Sequence, residues 1–141
     1  MNKKNIKYIM IIFVVLLLCV LSFLVYKNLF VGSNSTRYKD IEKHKLTNNE
    51  INSVKDKVNE LEDVKSVDVY VDSKIIKIVV KLNNDLDLEK VKDKANETLS
   101  DIKEKNLLYY DIEFFVDSLN EESEIYPQIG YKFKSNSEFS W

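Results

Sequence analysis

The chain has 141 residues, 45% of them apolar, and a single cysteine, which suits one anchored domain and excludes both two independent cores and an intramolecular disulfide. Its formal net charge is −2, but residues 34–141 hold 17 basic and all 23 acidic side chains, a net −6. So acidic a body, without a basic stripe, argues against direct nucleic-acid binding. Arg37 is the one arginine among 21 basic residues, and the richness in Lys, Asn and Ile points to AT-rich coding DNA of the low-GC bacterial kind.

From Tyr8 to Tyr26 the chain reads YIMIIFVVLLLCVLSFLVY, without a charge. As a helix this run reaches about 29 Å, against roughly 30 Å of bilayer hydrocarbon. Tyr8 and Tyr26 close its ends as interfacial aromatics, and Lys7 and Lys27 lie just outside as snorkelling cations. A single transmembrane helix acting as signal anchor is therefore expected at 8–26, with the lipid bilayer as its partner and 1–7 as a short cytoplasmic tail. Signal-peptidase cleavage after Ser33 stays open as an alternative, because Val31-Gly32-Ser33 offers small residues, although the apolar run exceeds the usual h-region. Lys3, Lys4 and Lys7 crowd one flank, whereas the basic residues after Lys27 are spaced among Asp40 and Glu42. That asymmetry predicts the N-terminus in the cytoplasm and the domain outside.

Residues 27–46 are polar with little period and read as a linker, in which His44 is expected to be solvated. The domain is expected at 47–117. Thr47 and Glu50 form a T-x-x-E capping box before Ile51, Val54, Val58 and Leu61, one face of a helix. Val67, Val69 and Val71 then alternate with Asp68, Tyr70 and Asp72, and after Asp72-Ser73-Lys74 a second strand faces inward with Ile76, Ile78, Val80 and Leu82. A second helix follows, N-capped by Asp87 and carrying Leu88, Val91, Ala95, Leu99 and Ile102 on one face, with Asn106 as a possible C-cap. The third strand turns Tyr110, Ile112, Phe114 and Val116 one way and Asp111, Glu113 and Phe115 the other. The expected fold is α+β, a two-layer αββαβ domain with both helices on one sheet face.

Residues 118–141 form an expected C-terminal tail, extended or hairpin-like, with short strands at Gln128–Lys134 and Glu138–Trp141. Its aromatics can lie over the second sheet face, beside Tyr70, Ile75, Val79 and Phe115, or extend the sheet edge. Alternatively the tail is a docking peptide, and Tyr126, Tyr131, Phe133, Phe139 and Trp141 are the candidate partner-binding residues. At least half coverage is expected for Tyr131, Phe133 and Trp141 if the tail packs on its own domain.

The αββαβ order over 47–117, carried by VKSVDVYVDSKIIKIVVKL, the amphipathic helix and YYDIEFFVD, resembles small bacterial modules of three kinds. These are BON-like envelope domains, ring-building domains of secretion and sporulation assemblies, and the alkaline-shock-protein family. The strand glycines usual in BON-like domains are absent from Val64 to Val116, and the resemblance transfers no functional residue. The chain lacks G-x-S-x-G, H-E-x-x-H and a phosphate-binding glycine loop, and its one cysteine lies in the anchor, so no catalytic residue, cofactor or metal is expected. The alternating carboxylates Asp85, Asp87 and Glu89 lack the glycine and closing Glu of a calcium loop and read as helix capping. The function expected is that of a membrane-anchored, extracytoplasmic, non-catalytic binding or scaffolding module of the cell envelope with a protein partner. The alternative is a single-pass regulatory subunit of a membrane enzyme or transporter.

Overall fold

Residues 3–27 and 40–141 are described by the computed structural model, and they belong to two units divided between Lys39 and Asp40. The first contains α1 (Lys3–Tyr26), 24 residues long. Every described side chain of α1 from Tyr8 to Tyr26 is exposed, on all faces of the helix. Ser22 Oγ donates to the Leu18 carbonyl at 2.8 Å, which satisfies its donor within the helix. Over its described residues no helix is long and apolar enough to cross a membrane, so the span expected at 8–26 is not supported there. The flanking lysine side chains at 3, 4 and 7, the linker from 28 to 39 and the alternative cleavage site lie outside the described residues.

The second unit starts earlier than Thr47. Ile41–His44 form a 3-10 turn, and Ile41 and Leu46 pack against the core, so residues 40–46 belong to the domain rather than to a free linker. Their apolar side chains, spaced five apart among charges, show no period that would mark them as core in the sequence. Thr47 then caps α2 (Asn48–Val58): the Glu50 N–H donates to Thr47 Oγ1 at 3.3 Å, and the Thr47 N–H donates to Glu50 Oε2 at 2.9 Å. The capping box is as its spacing predicted. Val54 and Val58 on this helix are buried.

β1 (Val64–Asp72) and β2 (Ile75–Leu82) pair antiparallel with Asp72 opposite Ile75. The turn between them places Ser73 at φ 59°, left-handed backbone that glycine adopts more readily. Period-2 alternation holds: Val67, Val69, Ile76, Ile78, Val80 and Leu82 are all buried. Full burial of one such aliphatic side chain contributes about 1.5–3 kcal/mol.

α3 (Leu88–Glu97) is N-capped by Asp87, whose Oδ1 accepts from the Glu89 N–H at 2.9 Å. It does not continue to Asn106. Thr98 Oγ1 donates to the Ala95 carbonyl at 2.6 Å and Ser100 Oγ to the Glu97 carbonyl at 2.8 Å. These hydroxyls compete for backbone acceptors, and the chain tightens into a 3-10 turn over Thr98–Asp101 before the single turn α4 (Glu104–Leu107). Leu99 and Ile102 stay in the core through the change of pitch.

β3 (Asp111–Ser118) then lies parallel to β2, and β4 (Gln128–Lys132) antiparallel to β3. The sheet is mixed, in the order β1-β2-β3-β4. Val54, Val58, Val91 and Ala95 from the helices share one core with the inward residues of β1, β2 and β3. The domain is therefore α+β, and its αββαβ order is extended by a fourth strand.

Candidate functional site

The aromatic tail divides between the two faces of the sheet, and the division follows from β4. Antiparallel pairing sets Gly130 opposite Phe114 and Tyr131 opposite Glu113, so Gly130 faces the helix side and Tyr131 the other. Beyond Lys132 the chain turns back: the Ser140 N–H donates to the Tyr131 carbonyl and the Tyr131 N–H to the Ser140 carbonyl, each at 2.8 Å. This single bridge replaces the second short strand expected at Glu138–Trp141.

Phe139 and Trp141 thereby come to the helix side. Each ring lies 5.9 Å from the ring of Phe114 in an edge-on arrangement, and the Phe139 N–H donates to Asn96 Oδ1 at 3.0 Å. Trp141 covers Gly130 so closely that a Cβ there would sit 2.8 Å from its ring. Of the two placements expected, the tail takes the second: β4 extends the sheet edge, within the strand expected at Gln128–Lys134, and the tail does not lie over the second sheet face. It goes where Phe114 and the bare backbone of Gly130 leave a trough that indole can fill. Tyr126 is also inward: it is buried, its hydroxyl donates to the Leu86 carbonyl at 2.9 Å and its N–H to Ser123 Oγ at 3.0 Å. Burial, and then the charge of Asp85, push its phenol upward.

Of the five candidate residues, Tyr131 and Phe133 remain outward. Tyr131 is 41% exposed and Phe133 55%, so the expected half coverage holds for Tyr131 and the partly buried Trp141 but not for Phe133. Lys132, between them, was not singled out in the sequence; it is 3% exposed, and burial lowers its pKa against the opposing charge of Asp111. Its inward place follows from two-residue alternation with Gly130, a signal obscured by the charge itself.

The outer face is ordered in rows across the four strands. One row runs Tyr70, Lys77, Glu113, Tyr131; the next runs Asp68, Val79, Phe115, Ile129. Lys77 Nζ lies 3.9 Å from Glu113 Oε1 and 3.8 Å from Asp72 Oδ2, and the Tyr131 hydroxyl donates to Glu113 Oε2 at 3.1 Å. Both contacts of Lys77 are cross-strand ion pairs, and the bond to Glu113 raises the Tyr131 phenol. Tyr70 and Ile129 are exposed like Tyr131, while Ile75, Val79 and Phe115 are half-buried among them. Aromatic and aliphatic side chains thus surround the ion pairs of Lys77 on this face.

Two other places on the domain gather polar or aromatic side chains. A cavity of about 310 Å³ is lined by Thr47, Asn49, Glu50, Ser53, Ser100, Asp101, Ile102 and Lys103. Its best-placed carboxylate is already engaged: Glu50 accepts from the Thr47 N–H and hydroxyl, the Lys103 N–H at 3.0 Å and Asn106 Nδ2 at 2.9 Å. Burial pushes this carboxyl up, but those bonds outweigh it and hold the pKa at about 2, so Glu50 is no general base. Asn106, expected as a helix C-cap, is instead buried as one of these donors.

His44 is the second place. It is not simply solvated, since its ring stacks on Tyr109 at 4.0 Å and 3°, with Lys74 Nζ 4.6 Å from the centroid of the same tyrosine. The stack fastens residues 40–46 to the domain. Asp85 is likewise structural, accepting from Asn120 Nδ2 at 3.2 Å. Among the described residues no group of three or more His, Cys, Asp or Glu is placed to hold a metal ion. Compared with family models, curated proteins and solved structures, the chain matches none of the three.

Proposed function

We propose that the chain is a membrane-anchored, non-catalytic binding or scaffolding module of the cell envelope, with residues 40–141 outside the membrane and the outer sheet face as its recognition surface. The observation that carries this reading is the row Tyr70–Lys77–Glu113–Tyr131 with Ile129 beside it, an exposed surface on which aromatic and aliphatic side chains flank the ion pairs of Lys77. Anchoring rests on the sequence of Tyr8–Tyr26, nineteen uncharged residues, and is supported by the exposure of α1 on all its described faces. Such a helix needs an apolar medium, and about 29 Å of it matches the hydrocarbon of a bilayer.

The regulatory-subunit alternative is less well supported, because the one hydroxyl of α1 suited to bonding a neighbouring helix, Ser22, is bonded to its own backbone. Extraction and protease accessibility test the reading together. The full chain is expected to stay with membranes through alkaline carbonate, and protease added to intact spheroplasts is expected to digest the domain. Release by carbonate would remove the anchor, and protection until lysis would reverse the orientation.

A further inference from the structure

The outer sheet face is self-complementary along the row Tyr70–Lys77–Glu113–Tyr131 and in the β2 and β3 pairs that follow it, and we propose that it is an interface with a second copy of this chain. In the row Tyr70–Lys77–Glu113–Tyr131 the order is aromatic, cation, anion, aromatic. Toward the far end of the two strands the division repeats: Lys81 stands in register with Asp117, with Val79 and Phe115 paired between the two charged rows. β2 therefore presents cations and β3 anions.

A two-fold axis parallel to the strands, over the line between β2 and β3, lays β2 of each copy across β3 of the other. It sets Lys77 against Glu113 of the second copy, Lys81 against Asp117, Val79 against Phe115 and Tyr70 against Tyr131. Lys77 and Glu113 are already partly withdrawn from water, their side chains 26% and 17% exposed. Pairing two faces makes an alternating ring of two lysines and two glutamates, each charge flanked by two of opposite sign, with tyrosines closing both ends. A second copy supplies this arrangement by symmetry alone, since residue i meets j and j meets i.

Size sets the conditions under which the pairing operates. Four strands about 4.8 Å apart and six residues at about 3.3 Å make a patch of roughly 400 Å², half of the ~800 Å² per partner of a standard interface. Freely diffusing copies would associate weakly, whereas copies held in one bilayer meet at high effective concentration. In that respect the inference rests on the anchoring reading.

The test uses the full chain with Cys19→Ser, carrying either Tyr70→Cys or Tyr131→Cys, and the two variants co-expressed and mildly oxidised. Within one sheet these positions are three strand spacings, about 14 Å, apart. The mixed pair is expected to give a disulfide dimer at about ten times the yield of either variant alone, and Lys77→Glu in both copies to cut that yield about tenfold, as like charges meet across the face. Combining Lys77→Glu with Glu113→Lys in both copies should restore it, and in only one copy should not; the restoration also shows that the variants fold. A dimer formed chiefly by Tyr70→Cys with itself, which is pairing through the β1 edge, overturns the proposal, as does a mixed yield indifferent to Lys77→Glu. Carbonate extraction of the same cells separates the two readings. A released chain that still forms the mixed disulfide sinks the anchor and keeps the interface, and a membrane-bound chain that does not form it sinks the interface alone.

Discussion

Glu50 shows how one side chain can tie distant segments together. Its carboxylate caps α2 through Thr47 and also receives the Lys103 N–H and Asn106 Nδ2, joining the start of α2 to α4. Because its folded pKa lies near 2 and its ordinary value is 4.5, the stability it contributes is complete above about pH 4.5 and is lost as pH falls toward 2. Each pKa unit is worth 1.36 kcal/mol, so the loss is about 3 kcal/mol. Denaturant titration of the wild type between pH 6 and pH 2 should show a decline of this size beyond that of Glu50→Gln, which should itself be less stable at pH 6 by about 2–4 kcal/mol. Parallel pH profiles of the two proteins would remove Glu50 from the account. Ser73 offers the opposite sign. At φ 59° it holds a left-handed conformation that costs a non-glycine residue about 1–2 kcal/mol, so Ser73→Gly is expected to raise Tm by a few degrees in calorimetry, part of the relief being offset by glycine's unfolded-state entropy.

At the scale of elements, β4 and the segment that follows act as one unit closing the core. The contact of Trp141 with Gly130 leaves no room for a methyl group, so Gly130→Ala should push the indole outward. The expected readout is a red shift in the emission of the only tryptophan, with a loss of about 1–3 kcal/mol. Phe139→Ala should cost about 3–5 kcal/mol in urea unfolding, because a buried ring against Phe114 leaves a cavity. An unshifted emission and an unchanged midpoint would place these rings in solvent. The central strand is more sensitive still. Ile78 is fully buried between Val69 and Phe114 in register, and Ile78→Asp should abolish the cooperative transition seen by circular dichroism, since a lone buried carboxylate costs several kcal/mol of the 5–15 a domain has.

For the whole molecule, the proposed scaffolding role and its regulatory alternative separate on the sequence of α1. Replacing Tyr8–Tyr26 by an unrelated apolar span of equal length should leave cross-linking through the outer face intact, measured in cells by the yield of the mixed disulfide; its loss would give α1 a sequence-specific role. The order of elements was legible beforehand because its causes are local. The capping box joins residues three apart, strand alternation has period two, and Asp87 caps the helix beside it. Position in space was not legible in the same way. His44 meets Tyr109, and Asn106 meets Glu50, across separations that no periodicity encodes. The tail's aromatics were visible as a group, but which side of the sheet they cross to depends on the trough over Phe114 and Gly130, which exists only after β4 has paired. The candidate face arose likewise: alternation showed that Tyr70, Lys77, Glu113 and Phe115 point away from the helices, while the parallel register of β2 with β3 decided that Lys77 stands beside Glu113. Local hydrogen bonding and side-chain period act within a few residues of chain, so the sequence determined the elements and their faces; strand order and register require long-range packing, so only the tertiary structure decided which outward residues share a row.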